Sequence, residues 1–89
     1  MSESKGWVCY LLECSDGSFY AGVAIDVNER VNEHNAGKGS LHTRRRRPVR
    51  LVWSQECESY AQARALEARL KGWSRDKKTR LVRGSLRLD

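Results

Sequence analysis

The sequence predicts an α+β domain: a three-stranded, mostly antiparallel sheet flanked by helices, in the order β-β-α-β-α-α. Three observations carry this. An apolar run of strand formers from Trp7 to Glu13 is followed by Ser15-Asp16-Gly17 and a second apolar run from Phe19 to Ala24, the pattern of a β-hairpin. Asp26-Val27-Asn28-Glu29 and Ser59-Tyr60-Ala61-Gln62 each set a capping side chain three residues ahead of a polar partner, as at a helix start. Between them, Val49, Leu51, Val52 and Trp53 mark a third strand over residues 49–56.

The first helix has its stop at Asn35-Ala36-Gly37, and the second runs from Ser59 to about Trp73. Ser74 caps a last basic helix to about Val82. The glycine-containing, then arginine-dense segment from Gly37 to Pro48 reads as a surface loop with room for a helical turn. With 89 residues the chain makes one domain with no second core. Its folded part is expected over about residues 7–82, with residues 1–6 and 83–89 as flexible tails.

Lysine and arginine number 17 against 11 acidic residues, a net charge of +6. A basic face releases condensed counterions when it neutralises phosphates, so nucleic acid is the expected partner. A basic surface without that role remains the alternative on charge alone. The three cysteines, Cys9, Cys14 and Cys57, form no C-x-x-C pair and lie among apolar residues, as free buried thiols do in a reducing cytoplasm. No apolar stretch has the length of a signal-peptide core or a membrane span, so a cytoplasmic protein with no membrane attachment is expected.

The apolar periodicity breaks in two places. On the first helix, Val27, Arg30, Val31 and His34 share the stripe that should face the core, yet two of the four are polar. On the later helix, Ala63, Leu66, Leu70 and Trp73 define an apolar face, and Glu67 lies within it. An inward arginine, histidine and glutamate make either a buried ion-pair network or an active site. The hairpin adds Tyr10 and Tyr20. A two-residue turn, Asp16-Gly17, pairs residue 13 with 20 and puts the tyrosines on opposite faces. A three-residue turn, Ser15-Asp16-Gly17, pairs 12 with 20 and puts them together, with Gly17 in the left-handed position.

Val8-Cys9-Tyr10, ten residues before Tyr20-Ala21-Gly22, resembles the paired tripeptides of the GIY-YIG nuclease superfamily. Arg30 and His34 follow one helical turn apart, then Glu67 on a later helix. The local text is similar to that of a subgroup of small stand-alone bacterial members. It reads Tyr-Leu-Leu-x-Cys-x-Asp-Gly-Ser from Tyr10, then His34-Asn35-x-Gly37-Lys38-Gly39, Thr43-Arg44 and Arg47-Pro48, with His42 where that subgroup usually has tyrosine. Because the family uses both tyrosines, the resemblance favours the three-residue turn.

The resemblance implies a metal-dependent endonuclease, a hydrolase of phosphodiester bonds in DNA, structured or single-stranded, in repair or recombination. The alternative it leaves is a nucleic-acid-binding module that keeps the fold with little turnover. Its catalytic residues would be Tyr10, Tyr20, Arg30, His34 and Glu67. Glu67 would hold one Mg2+ or Mn2+ ion, and no small-molecule cofactor is implied. Tyr10 would accept the proton of the attacking water, a role that asks for cationic neighbours, since a free tyrosine titrates near pH 10. Lys38, His42, Thr43, Arg44, Arg45, Arg46, Arg47, Lys71, Lys77 and Lys78 are the expected nucleic-acid-binding residues, with DNA favoured over RNA as partner.

Overall fold

A computed structural model describes residues 6–88 of the chain. Of the tails expected to be flexible, residues 1–5 and 89 lie outside the described residues, while Gly6 and residues 83–88 are described, and Leu88 packs against the core. Strands β1 (Trp7–Glu13), β2 (Phe19–Ala24) and β3 (Arg50–Cys57) form one three-stranded sheet in the order β2-β1-β3, antiparallel throughout. Helices α1 (Val27–Asn35) and α2 (Leu41–Arg44) lie between β2 and β3, and α3 (Tyr60–Lys71) and α4 (Arg75–Val82) follow. The loop between Gly37 and Pro48 thus contains one short helix.

The hairpin takes the three-residue turn. Leu12 pairs with Tyr20, the Cys14 amide bonds to the Ser18 carbonyl at 2.8 Å, and Gly17 sits at φ +85°. That conformation suits a residue without Cβ. Because side chains alternate along a strand, Tyr10, Leu12 and Tyr20 then share one face, and Cys9, Leu11 and Ala21 take the other.

The second of these faces is the main core. Cys9, Leu11, Ala21 and Cys57 meet Ala63, Leu66 and Leu70 of α3 and Leu81 of α4, with Trp53, Trp73 and Leu88 packed around them. The helices lie where the caps predict. Ser59 accepts from the Gln62 amide, Ser74 from Lys77 and Asp26 from Glu29, each satisfying an amide that the helix leaves unpaired. On the opposite face α1 brings Val27 and Val31 against Tyr10, Leu12, Cys14, Ala24 and Val49. Asn35, at the end of α1, bonds both ways to Val49: its Nδ2 donates to the Val49 carbonyl at 2.9 Å and its Oδ1 accepts from the Val49 amide at 2.7 Å. The helix is thereby locked to the segment entering β3.

All three cysteines are free and buried, and burial pushes the Cys9 thiol up to about 12, so it is inert at neutral pH. No helix among the described residues is long and apolar enough to cross a membrane.

Candidate active site

The polar residues of α1 and the hairpin tyrosines meet on the α1 face of the sheet. Tyr10, 1% exposed, points its hydroxyl at His34, 2% exposed, with Oη 3.1 Å from Nε2. The other ring nitrogen, Nδ1, lies 2.8 Å from Oγ1 of Thr43, which is fully buried on α2. Tyr20 stacks edge-on to the imidazole, with ring centroids 5.3 Å apart. Two glycines make this packing feasible. Gly22 pairs with Tyr10 across the hairpin, and a Cβ there would stand 2.5 Å from the tyrosine oxygen; a Cβ on Gly39 would land on the His34 ring. The final glycine of the second tripeptide is therefore the floor under the Tyr10 ring.

Arg30 and Glu67 stand at the margin of this cluster. Arg30 is part-exposed, with Nε 3.0 Å from Glu33 Oε1 and Nη1 donating to the Val23 carbonyl at 3.4 Å. Glu67 is 9% exposed on α3, a helix that packs on β1 and β2. Its oxygens are held by Arg64 Nε at 2.9 Å and Lys71 Nζ at 3.2 Å. Lys71 links it to Tyr20, since its ammonium also lies 5.9 Å from that ring centroid.

Burial pushes the Tyr10 phenol up to about 12; the Arg30 guanidinium pulls the other way, and Tyr20 and Glu67 add to the rise. The cationic neighbours are outweighed, and Tyr10 is a neutral phenol at rest. Burial, helped by the Arg30 charge, holds His34 below its usual 6.5 despite Glu33, so the imidazole is a neutral base. A histidine kept neutral in the fold favours folding above pH 6.5, where the unfolded chain is neutral too, and that contribution is lost as pH falls toward its folded value. Urea unfolding between pH 8 and 5 is expected to show stability dropping below 6.5 in the wild type, with that component missing in His34→Gln.

The arginine run divides into two kinds of residue. Arg46 is drawn inward: Nε donates to Asp16 Oδ2 at 2.8 Å and Nη1 to the His42 carbonyl at 3.0 Å. Arg47 donates to the carbonyls of Arg44 and Asn35. Arg44 and Arg45 are exposed, as is Lys38. His42 lies with its ring 6.1 Å from that of Tyr20 at an interplanar angle of 24°, and its Nε2 is 3.1 Å from Ser18 Oγ. The Ser18 hydroxyl donates to Asp16, and these contacts together with Arg46 hold the Asp16 carboxyl down at about 2. Lys77 sits 4.3 Å over the Trp73 ring, and Lys78 is half-buried.

Comparison with known proteins fits this arrangement. A family profile described as the GIY-YIG catalytic domain matches residues 6–80. The chain belongs to the GIY-YIG family. That domain is a nuclease-type fold, and its substrate class is nucleic acid. A UPF0213 protein of Staphylococcus aureus is 46% identical over 74 residues, covering 83% of this chain and 90% of that protein. The solution structure of a UPF0213 protein from Bacillus halodurans is 43% identical with a TM-score of 0.55, covering 85% of this chain and 81% of the other. A protein of E. faecalis, also solved in solution, is 32% identical with a TM-score of 0.61, covering 94% and 90%.

GIY-YIG nucleases generally use a divalent metal. Among the described residues no group of three or more histidine, cysteine or acidic side chains could enclose a cation. Glu67 alone fits a different kind of site. A hard ion such as magnesium takes one carboxylate and completes its shell with water and substrate phosphate, and the two cations now on Glu67 are both more than half exposed.

Three features of the site escaped the sequence reading. These are the burial of Thr43 against His34, the clamp of Arg64 on Glu67, and Arg75, whose guanidinium lies 6.0 Å over the Phe19 ring beside the hairpin. The Thr43 and Arg75 contacts join different elements, for which no local pattern exists, whereas Arg64 and Glu67 lie three residues apart on α3.

Proposed function

We propose that this chain is a divalent-metal-dependent endonuclease hydrolysing phosphodiester bonds in DNA, structured or single-stranded, in cytoplasmic repair or recombination. The observation that carries this reading is the buried Tyr10–His34 hydrogen bond, with Arg30 and Glu67 flanking it. A tyrosine whose proton is hard to remove is a poor base alone. Paired with a neutral imidazole it never has to become a free phenolate. As the attacking water gives a proton to Tyr10 Oη, Tyr10 passes its own to His34 Nε2, so the O–H bond lost on one side is replaced on the other.

Arg30, part-exposed at the rim, presents a planar fork to the non-bridging oxygens of the scissile phosphate, where negative charge grows. Glu67 would hold the magnesium or manganese ion, which supplies Lewis-acid stabilisation of that phosphate. Tyr20 and His42, stacked together, form the wall against which the substrate orients. Lys38, Arg44 and Arg45 are the exposed cations that track the DNA backbone, with Lys71 closer to the chemistry.

One observation favours a second reading, a binding module that keeps the fold: both Glu67 oxygens are already occupied by Arg64 and Lys71. Labelled duplex, flapped and single-stranded DNA, with matched RNA strands, incubated with magnesium, manganese or chelator, separate the two. Metal-dependent cutting that is absent from a Glu67→Gln preparation supports the nuclease. Salt-sensitive binding in chelator, without cutting under any condition, would establish the binding module instead.

A further inference from the structure

Thr43 stands in the arginine-rich loop, where a phosphate contact is the natural expectation, yet it has no exposed surface. Its hydroxyl has three polar neighbours: the Ser40 Oγ at 3.3 Å, which can donate or accept, and two whose chemistry differs more sharply. On one side is the Ser40 backbone carbonyl at 3.1 Å, which can only accept; on the other is His34 Nδ1 at 2.8 Å, which either donates or accepts according to tautomer. A hydroxyl has one proton. With that proton on the Ser40 carbonyl, Oγ1 must accept, so Nδ1 carries the hydrogen and Nε2 presents its lone pair to Tyr10.

We infer that Thr43 is a positioning residue that sets the tautomer of His34, fixing the direction in which the Tyr10 proton moves. The chain of bonds runs one way: Tyr10 Oη–H to His34 Nε2, His34 Nδ1–H to Thr43 Oγ1, Thr43 O–H to the Ser40 carbonyl. The last acceptor cannot take a proton at neutral pH, so the relay ends on the imidazole. When Tyr10 hands over its proton, an N–H bond forms on Nε2 as the Tyr10 O–H bond breaks, and the imidazolium keeps both donors paired.

The local structure is built to hold this alignment. Ser40 caps α2 by accepting from the Thr43 amide at 3.2 Å, which fixes the turn that carries the hydroxyl. Gly39, with no side chain, lets the loop close directly over the His34 ring. Tyr20 flanks the ring, so the imidazole has little room to flip.

This role rests on the nuclease reading for its catalytic meaning, but the tautomer is measurable without any cleavage. Ring 15N shifts of His34 at pH 8, by NMR, are expected to report Nδ1–H in the wild type. Thr43→Val, which keeps the shape and removes the acceptor, is expected to shift the population toward Nε2–H and to slow cleavage by roughly 100-fold, the lower end of what acid–base catalysis supplies. Thr43→Ser is expected to restore both. An Nε2–H tautomer in the wild type, or an unchanged Nδ1–H tautomer in Thr43→Val, overturns the inference. So does a shifted tautomer with unchanged cleavage. If the wild type cuts nothing, the endonuclease proposal fails, and the NMR comparison still decides what Thr43 does to His34.

Discussion

Replacing Arg30 with alanine is expected to slow phosphodiester cleavage by roughly 100- to 1000-fold, the usual effect of removing one donor from developing oxyanion charge. The fold should not register the change. Arg30 contributes an exposed ion pair to Glu33 and a long bond to the Val23 carbonyl, and exposed pairs add little to stability. Arg30→Lys should recover only part of the rate, because an ammonium cannot match two phosphate oxygens at once. Single-turnover cleavage alongside thermal unfolding checks this. A rate within threefold of wild type in Arg30→Ala would remove the residue from the chemistry.

The second large effect is on stability. Leu70 is fully buried between α3 and the sheet, against Cys9, Leu11 and Ala21. Leu70→Ala is expected to cost about 2–5 kcal/mol through lost burial and the cavity left behind. A domain of this size has only roughly 4–13 kcal/mol in total, by the usual stability per residue. The melting temperature should therefore fall by about 10 °C or more, at 4–8 °C for each kcal/mol. Calorimetry on the two proteins measures it. Because Leu70 lies one helical turn from Glu67, the variant's cleavage at low temperature also shows how firmly α3 must be seated for that carboxylate to act.

Much of the architecture was readable because it depends on local chemistry. Asp26, Ser59 and Ser74 cap the helices they announce, and Gly17 admits the turn that sets the hairpin register. The polar residues of α1 were visible as breaks in an apolar stripe; His34 is buried there, while Arg30 comes to the rim. The electrostatics were not readable. A sequence shows that Tyr10 has basic company, but whether desolvation or the Arg30 charge wins depends on how far the ring is buried. The same holds for the arginine run. Arg46 and Arg47 look like Arg44 and Arg45 in the sequence, yet Asp16 from the hairpin and the end of α1 recruit the first pair into the fold. Thr43 was hidden for the same reason: its meaning lies in an imidazole nine positions away on another helix.

The Ser15-Asp16-Gly17 turn supplies none of the five residues in the candidate site, yet it controls which of them can meet. On β1 the odd positions 9 and 11 are core and the even positions 10 and 12 line the site, so a single strand serves both sides of the sheet. Across the turn, β2 obeys the same rule only because the number of loop residues is odd. Shortening the turn by one residue would leave all five site residues in the sequence and exchange the environments of Tyr20 and Ala21. Parity, as much as any functional group, is therefore a condition for assembling the site, and a one-residue insertion or deletion at the hairpin tip would dismantle it.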